Sequence, residues 1–366
     1  MERDVILINS MRDNERTNAS DSPFEGKTVI FGVPHHFGFS DVLRQGMEDL
    51  GMRCVDVSIM DVKIGYKDVF QRLEKVYHKN FLGKREYKTR IYHRNLRERV
   101  ANALSAVDGL ADYAFIIRPD GYPLEFIEAI RKKTKLLVAY QWDGMARFPE
   151  SYGYVSLFDR FFVFDGQDLH LSGVLPLTNF CPDPAYLARC ADKKAPSSDV
   201  FYAGHFNRFN LDPLDQIVRS CESLGHRVLY HLFAGGQHFT DNDPYNPHRL
   251  EVTDRRLMYG DYLGYVHKTK VLIDLLHPIH EGLSFRAMEA TCLDKKLITN
   301  NKRIREYDFY RPANVFVWNG DRDDLAAFLQ AEREPLPDSI KKKYGFRNWL
   351  QNLLDVGDYQ PITLPR

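Results

Sequence analysis

Short apolar runs alternate with amphipathic stretches along most of this chain. KTVIFGVP (27–34) is a buried-strand pattern that stops at Gly-Val-Pro, and RCVDVSI (53–59) is a second. Between them VLRQGMEDLG reads as a helix, with Ser40 placed to cap it and Gly51 to end it. ADYAFIIRP (111–119), KLLVAYQWD (135–143) and RFFVFD (160–165) continue the strands, and LEFIEAIRKK (124–133) is the helix between the first two. After a proline-rich polar stretch a second series opens with DVFYAGHF (199–206). A helix at 213–224, the strand HRVLYHLF (226–233), a long polar loop and a helix near 254–262 follow. Then VLIDLL (271–276), a turn, a helix and LITN (297–300) make one strand–helix–strand unit. NVFVW (314–318), DRDDLAAFLQAE (321–332) and the amphipathic YGFRNWLQNLL (344–354) close the chain.

The pattern predicts an α/β protein with two Rossmann-like domains facing across a cleft. Residues 1–176 form the first, 177–198 the linker, 199–337 the second, and 338–366 a terminal helix and tail that returns to the first. A length of 366 residues suits two domains. The first 22 residues read as a polar lead-in after VILI (5–8), with no signal peptide.

Charge narrows the function classes. Fifty Lys and Arg balance fifty Asp and Glu, so no global field draws the chain to nucleic acid. The five cysteines are scattered and lack CxxC spacing, which fits a reducing cytosol better than a disulfide framework or a zinc site. No apolar run reaches the ~18 residues of a spanning helix. A basic stretch at 78–99 could still rest on anionic lipid as a peripheral contact. The 24 Phe and 20 Tyr serve cores and also stacking platforms for sugars or bases.

The densest chemistry lies in HPIHEGLSFRAMEATCLDKKLITNN (277–301). Glu281 sits in the turn and Glu289 eight residues on, a span of about 12 Å in a helix. That separation matches a transferred sugar and the ribose of its nucleotide. Gly282, Leu283 and Ser284 lie between them at the expected helix N-terminus, where unpaired N–H groups suit a diphosphate. Glu289 could accept hydrogen bonds from two ribose hydroxyls.

This segment resembles the E-x7-E motif of retaining glycosyltransferases of the GT-B fold, such as family 4 and the spore-maturation and surface-polysaccharide branch. Two positions depart from that pattern: Leu293-Asp294-Lys295-Lys296 stands where small-Gly-x-Pro is usual, and Arg286 replaces a small or apolar residue. The resemblance implies that Glu281 contacts the transferred sugar and Glu289 the ribose. It implies a nucleotide-sugar donor held by the second domain and a glycan or lipid-linked acceptor on the first. It also implies a setting at the cytoplasmic face in bacterial surface polysaccharide or lipopolysaccharide assembly.

The remaining candidates sit at strand ends. Gly204 and Arg208 follow the first strand of the second domain, as in the family's Gly-Arg-x-x-x-Lys region but without its lysine; Lys270 is the alternative second cation. His35, His36 and Asp41 follow the first strand and are candidates for binding the acceptor or for orienting the reacting hydroxyl, with His36 the catalytic choice. Trp142, Asp143 and Arg147 follow a buried strand and group an aromatic, a carboxylate and a guanidinium, which together suit a sugar, with Asp143 a second catalytic candidate. Asp321-Arg322-Asp323 and Asp241-Asn242-Asp243 read as a helix cap and a loop, so no metal and no cofactor are expected. Three alternatives stay open: a transferase of CMP-activated acid sugars, suggested by His277-Pro278, a nucleotide-sugar epimerase, and a non-catalytic carbohydrate-binding protein.

Overall fold

A computed structural model describes residues 22–34, 37–59, 96–191, 194–235 and 250–365. VILI at 5–8, His35, His36, most of the basic stretch at 78–99 and the loop at 241–243 lie outside them.

Two six-stranded sheets, each wholly parallel, organise the molecule. The first holds β1 (Thr28–Gly32), β2 (Arg53–Asp56), β3 (Ala111–Ile117), β4 (Thr134–Gln141), β5 (Arg160–Val163) and β6 (Val174–Pro176) in the order β2-β1-β3-β4-β5-β6. Helices α1 (Phe39–Asp49), α2 (96–105) and α3 (Leu124–Arg131) belong to it. The second holds β7 (Val200–His205), β8 (Val228–Phe233), β9 (Val252–Thr253), β10 (Val271–Asp274), β11 (Lys296–Thr299) and β12 (Val315–Val317). Their spatial order, β9-β8-β7-β10-β11-β12, reverses direction between β7 and β10. The first sheet reverses between β1 and β3. Ligands of doubly wound sheets bind at such reversals, outside the carboxyl ends of the strands.

Both faces of each sheet are covered, which is why the strands read as continuous apolar runs. In β1, Val29 and Phe31 face one core while Ile30 faces another with Ile116, Phe126 and Ile130. The core holding Phe31 is continuous into the second domain, where it takes in Phe201, Leu272, Ala287 and Leu297. The last helices, α9 (Asp338–Lys343) and α10 (Phe346–Leu354), lead the chain back across this junction. Fully buried Trp349 on α10 packs on Phe180 and Tyr140 and donates its indole N–H to the Thr178 carbonyl at 2.9 Å.

Several element boundaries differ from the sequence pattern. Ser40 is buried inside α1, which starts at Phe39 after Gly38 in the left-handed region at φ 80°. The linker contains a helix, α4 (Pro184–Ala191), whose Leu187 and Cys190 are buried. Helix α5 (Arg208–Ser223) begins five residues early because the Asn207 side chain caps it, and Pro213 is accommodated within it. Helix α6 (Tyr259–His267) begins five residues late, after an irregular stretch, with its first N–H bonded to the Phe37 carbonyl of the first domain at 2.8 Å. Helix α7 (Phe285–Cys292) opens at Ser284, its N-cap, rather than at Gly282. Asp321 caps α8 (Arg322–Gln330), accepting from the Asp323 and Asp324 N–H groups at 2.8 and 3.0 Å. Asp321→Ala is expected to cost about 1 kcal/mol, read by denaturant unfolding.

Candidate functional site

The carboxyl ends of both sheets open onto one cleft of about 2130 Å³. From the first domain come Pro34 after β1, Arg118 after β3 and Trp142, Asp143 and Arg147 after β4. From the second come Gly204 to Asn210 at the β7–α5 junction, Leu275 to His277 and His280 after β10, and Ser284, Phe285 and Arg286 at the start of α7. Each follows from topology: a parallel strand that enters a helix puts its next loop on the ligand side.

On the first-domain wall Asp143 is held between two guanidinium groups. Arg118 reaches its Oδ2 at 2.9 Å and Arg147 its Oδ1 at 3.1 Å. Arg118 also grips Asp120 through two nitrogens, at 2.8 and 2.6 Å, and lies 3.4 Å from the Phe148 ring centre. Its backbone is left-handed, φ 56°, a strained conformation for a non-glycine residue at a strand end. Trp142 belongs to an aromatic cluster that joins the domains: Phe39 lies 5.3 Å from Trp142, 5.2 Å from Tyr259 and 4.5 Å from Phe285.

Helix α7 carries the floor. Glu289 is wholly buried and accepts hydrogen bonds from the Tyr259 hydroxyl, at 2.5 Å, and the Tyr262 hydroxyl. Burial pushes its carboxyl up to about 7, against the pull of the two hydroxyls and of Arg286. Arg286 donates Nε to buried Asp274 at 2.9 Å and Nη1 to the Ala203 carbonyl at 2.6 Å. Burial works against its charge, but Asp274 and the Tyr202 and Tyr262 side chains together outweigh that cost and hold the guanidinium charged.

The candidates of the E-x7-E segment separate in space. Glu281 is outside the cleft lining: its carboxylate pairs with Arg303 at 3.2 Å and its N–H donates to Asp165 at 2.9 Å. Gly282 serves close packing, since a Cβ there would lie 2.4 Å from the Phe164 ring of the first domain. Leu283 is buried, with its carbonyl accepting from Asn179 at 2.8 Å. Ser284 does face the cleft, and its hydroxyl oxygen accepts the Ala287 N–H at 3.3 Å as the cap of α7. Gly204 lines the cleft beside the Tyr202 hydroxyl. Arg208 is exposed in the first turn of α5, its only partner among the described residues the Phe209 ring at 5.2 Å. Lys270 does not supply a second cation there. It precedes β10, at the amino edge of the sheet, and pairs with Asp199 at 3.1 Å. Asp41 is also away from the cleft, paired with Arg44 at 3.0 Å on the outside of α1.

Sequence reasoning passed over Arg118, Tyr259, Tyr262, His280 and Asn179. Arg118 had a signal, a charge at the end of an apolar strand. The tyrosines had a weaker one, their i, i+3 spacing on one helix. Asn179 had none: it accepts from the Tyr140 hydroxyl at 2.9 Å and ties that strand to Leu283 across the junction.

No three His, Cys, Asp or Glu side chains among the described residues gather as metal ligands, and no helix among them is long and apolar enough to cross a membrane. No family model and no curated protein matches the chain. Solved structures match over most of its length. An alpha-glucosyltransferase in complex with UDP and a 13-mer DNA aligns with a TM-score of 0.50 at 12% identity, over 88% of this chain and 94% of that one. The apo lipopolysaccharide outer core galactosyltransferase WaaB aligns at 0.44 and 10%, over 90% and 99%. The S. aureus MnaA–UDP structure aligns at 0.43 and 10%, over 93% and 100%. With two parallel α/β sheets opening on one cleft and a terminal helix crossing back to the first domain, the chain has the GT-B fold.

Proposed function

We propose that this protein is a glycosyltransferase that moves a sugar from a nucleotide-sugar to a hydroxyl of a glycan or lipid-linked acceptor. The reading rests foremost on the reversal point of the second sheet. There Arg208 and Arg286 face the cleft, and Arg286 has its Nη2 without a protein partner among the described residues. Two guanidinium groups at a strand–helix junction suit the diphosphate of a nucleotide-sugar. The solved glucosyltransferase with UDP shares the fold and supports the same reading.

In this reading the donor's C1–O bond to the diphosphate breaks while the acceptor oxygen bonds to C1. The acceptor proton passes to a phosphate oxygen on the same face, so the anomeric configuration is retained. Arg208 and Arg286 stabilise the negative charge that builds on the leaving group. Trp142 and Asp143 orient the acceptor, Asp143 with its two oxygens fixed by Arg118 and Arg147. Ribose hydroxyls would reach Glu289, which lies at the cleft wall but is fully buried, only by moving the groups that cover it. Transfer is expected to proceed in EDTA, since the Asp321 carboxylate of the only DxD-like run in the described chain is spent on capping α8. The setting in bacterial surface polysaccharide assembly at the cytoplasmic face follows the sequence resemblance.

The test is a thermal-shift panel of UDP, GDP, ADP, TDP and CMP on the wild type and Arg208→Ala. A ligand at 100-fold over its Kd stabilises by about 2.7 kcal/mol. One diphosphate should stabilise the wild type, and Arg208→Ala, which breaks no ion pair, should bind it at least tenfold more weakly. Response to CMP alone would favour the CMP-activated donors, and silence across the panel by folded protein would end the nucleotide-sugar reading.

A further inference from the structure

The cleft has a second group of donors, distinct in origin from Arg208 and Arg286. Arg147 comes from the first domain, and His277 and His280 from the loop after β10. Arg147 spends one nitrogen on Asp143, lies 5.3 Å from the Phe148 ring centre and is 45% exposed, so its remaining N–H groups are open to the cleft. His277 accepts the Ile279 N–H on Nδ1 at 3.2 Å, which leaves its proton on Nε2. Burial, and then the Arg147 charge, lower its pKa. His280 packs 5.3 Å from the Phe164 ring, with Nδ1 buried and without a partner among the described residues. Burial lowers its pKa first and foremost, despite Asp143 and Asp165 nearby. With Nδ1 buried, Nε2 is the nitrogen that His280 can turn to the cleft, where it donates to an anion as the Nε2–H tautomer.

The rim thus offers donors, and the charge of the neighbouring carboxylate Asp143 is offset by the two arginines that bond its two oxygens. The donors come from three side chains, an arrangement suited to the three oxygens of a phosphoryl group. An apolar flank adjoins it. Phe209, 49% exposed, lies 5.0 Å from the His277 ring, and Ile279 is 38% exposed.

We propose that Arg147, His277 and His280 form a second anion subsite that receives a phosphoryl group carried by the acceptor. The inference rests on the glycosyl-transfer reading for the word acceptor; the anion subsite itself is testable without it. The shared chemistry is a phosphomonoester, from a soluble sugar phosphate or from a lipid phosphate whose chain lies along Phe209 and Ile279.

The experiment is calorimetric titration of the full chain with glucose 6-phosphate, decyl phosphate and glucose. It is run on the wild type, on Arg147→Gln and on the double variant His277→Gln, His280→Gln, each checked for its melting transition. Both phosphates, or one, should bind where glucose does not. Each variant should weaken that binding at least tenfold, while the nucleoside diphosphate of the panel changes less than twofold. Preference for glucose 6-phosphate would name the soluble source, and preference for decyl phosphate the lipid one. The proposal falls if neither phosphate binds better than glucose, or if the variants bind as the wild type does. It falls also if the diphosphate weakens in step with the phosphates, since the rim would then be part of the donor site. Arg147 is at the surface, so its variant keeps the test open should the double variant fail to fold. Nucleotide binding with no phosphate binding would sink the subsite alone; the converse would sink the transfer reading alone.

Discussion

Arg286→Ala is expected to destabilise the protein by about 3–5 kcal/mol, the usual cost of removing one partner from a buried ion pair. Asp274 is 2% exposed at its side chain and loses its nearest cation, while the Ala203 carbonyl loses a donor 2.6 Å away. At roughly 2–4 °C per kcal/mol the melting temperature should fall by about 10 °C. The same change should also remove the nucleotide-dependent shift, because Nη2 is the part of Arg286 left for a phosphate. Stability and binding separate in the double variant Asp274→Leu, Arg286→Met. Replacing both charges by apolar groups commonly restores what the single change loses. The double variant should therefore melt near the wild type and still bind nucleoside diphosphate at least tenfold more weakly. Wild-type affinity in the double variant would make Arg286 a structural residue only.

The contrast between Arg286 and Lys270 shows what the sequence can and cannot convey. Both are cations near the same strand. Yet β10 rises about 3.3 Å per residue, so Lys270 at one end and Arg286 beyond the other lie on opposite sides of the sheet. Strand direction was legible from the alternation of elements, and with it the cleft-facing ends that carry Trp142, Asp143, Arg147, Gly204 and Arg208. The returning helix was legible too, because Trp349, Leu350 and Leu353 of α10 form one apolar stripe. Partnerships between distant segments were not. Nothing local to Glu281 announces Arg303, and nothing local to Gly282 announces the Phe164 ring from the other domain. The start of α6 escaped for the same reason: a tertiary bond to the Phe37 carbonyl, rather than a cap in the sequence, sets it.

Glu289 should give the protein a pH dependence of its own. Its carboxyl is raised to about 7 in the fold, from 4.5 as the ordinary value. Between those two pH values the folded chain keeps a proton that the unfolded chain has released. Stability contributed by this group is therefore full below about pH 4.5, falls as pH rises, and is gone above about 7, by an amount on the order of 3 kcal/mol. Glu289→Gln keeps the volume and cannot ionise. Subtracting its unfolding free energy from that of the wild type, measured by urea from pH 4.5 to 8, should give a curve that declines across this window. A flat difference would mean that the two tyrosine hydroxyls and Arg286 hold the carboxylate charged throughout. Glu289→Ala tests the network rather than the charge. It leaves a cavity and two buried tyrosine hydroxyls without their acceptor, at roughly 3–5 kcal/mol in sum. Because Tyr259 also bonds the first domain through its N–H, that loss should loosen the contact between Phe37 and α6. Hydrogen exchange at the Tyr259 amide should then rise in Glu289→Ala and stay slow in Glu289→Gln. Equal exchange in both would confine the effect of Glu289 to the second domain.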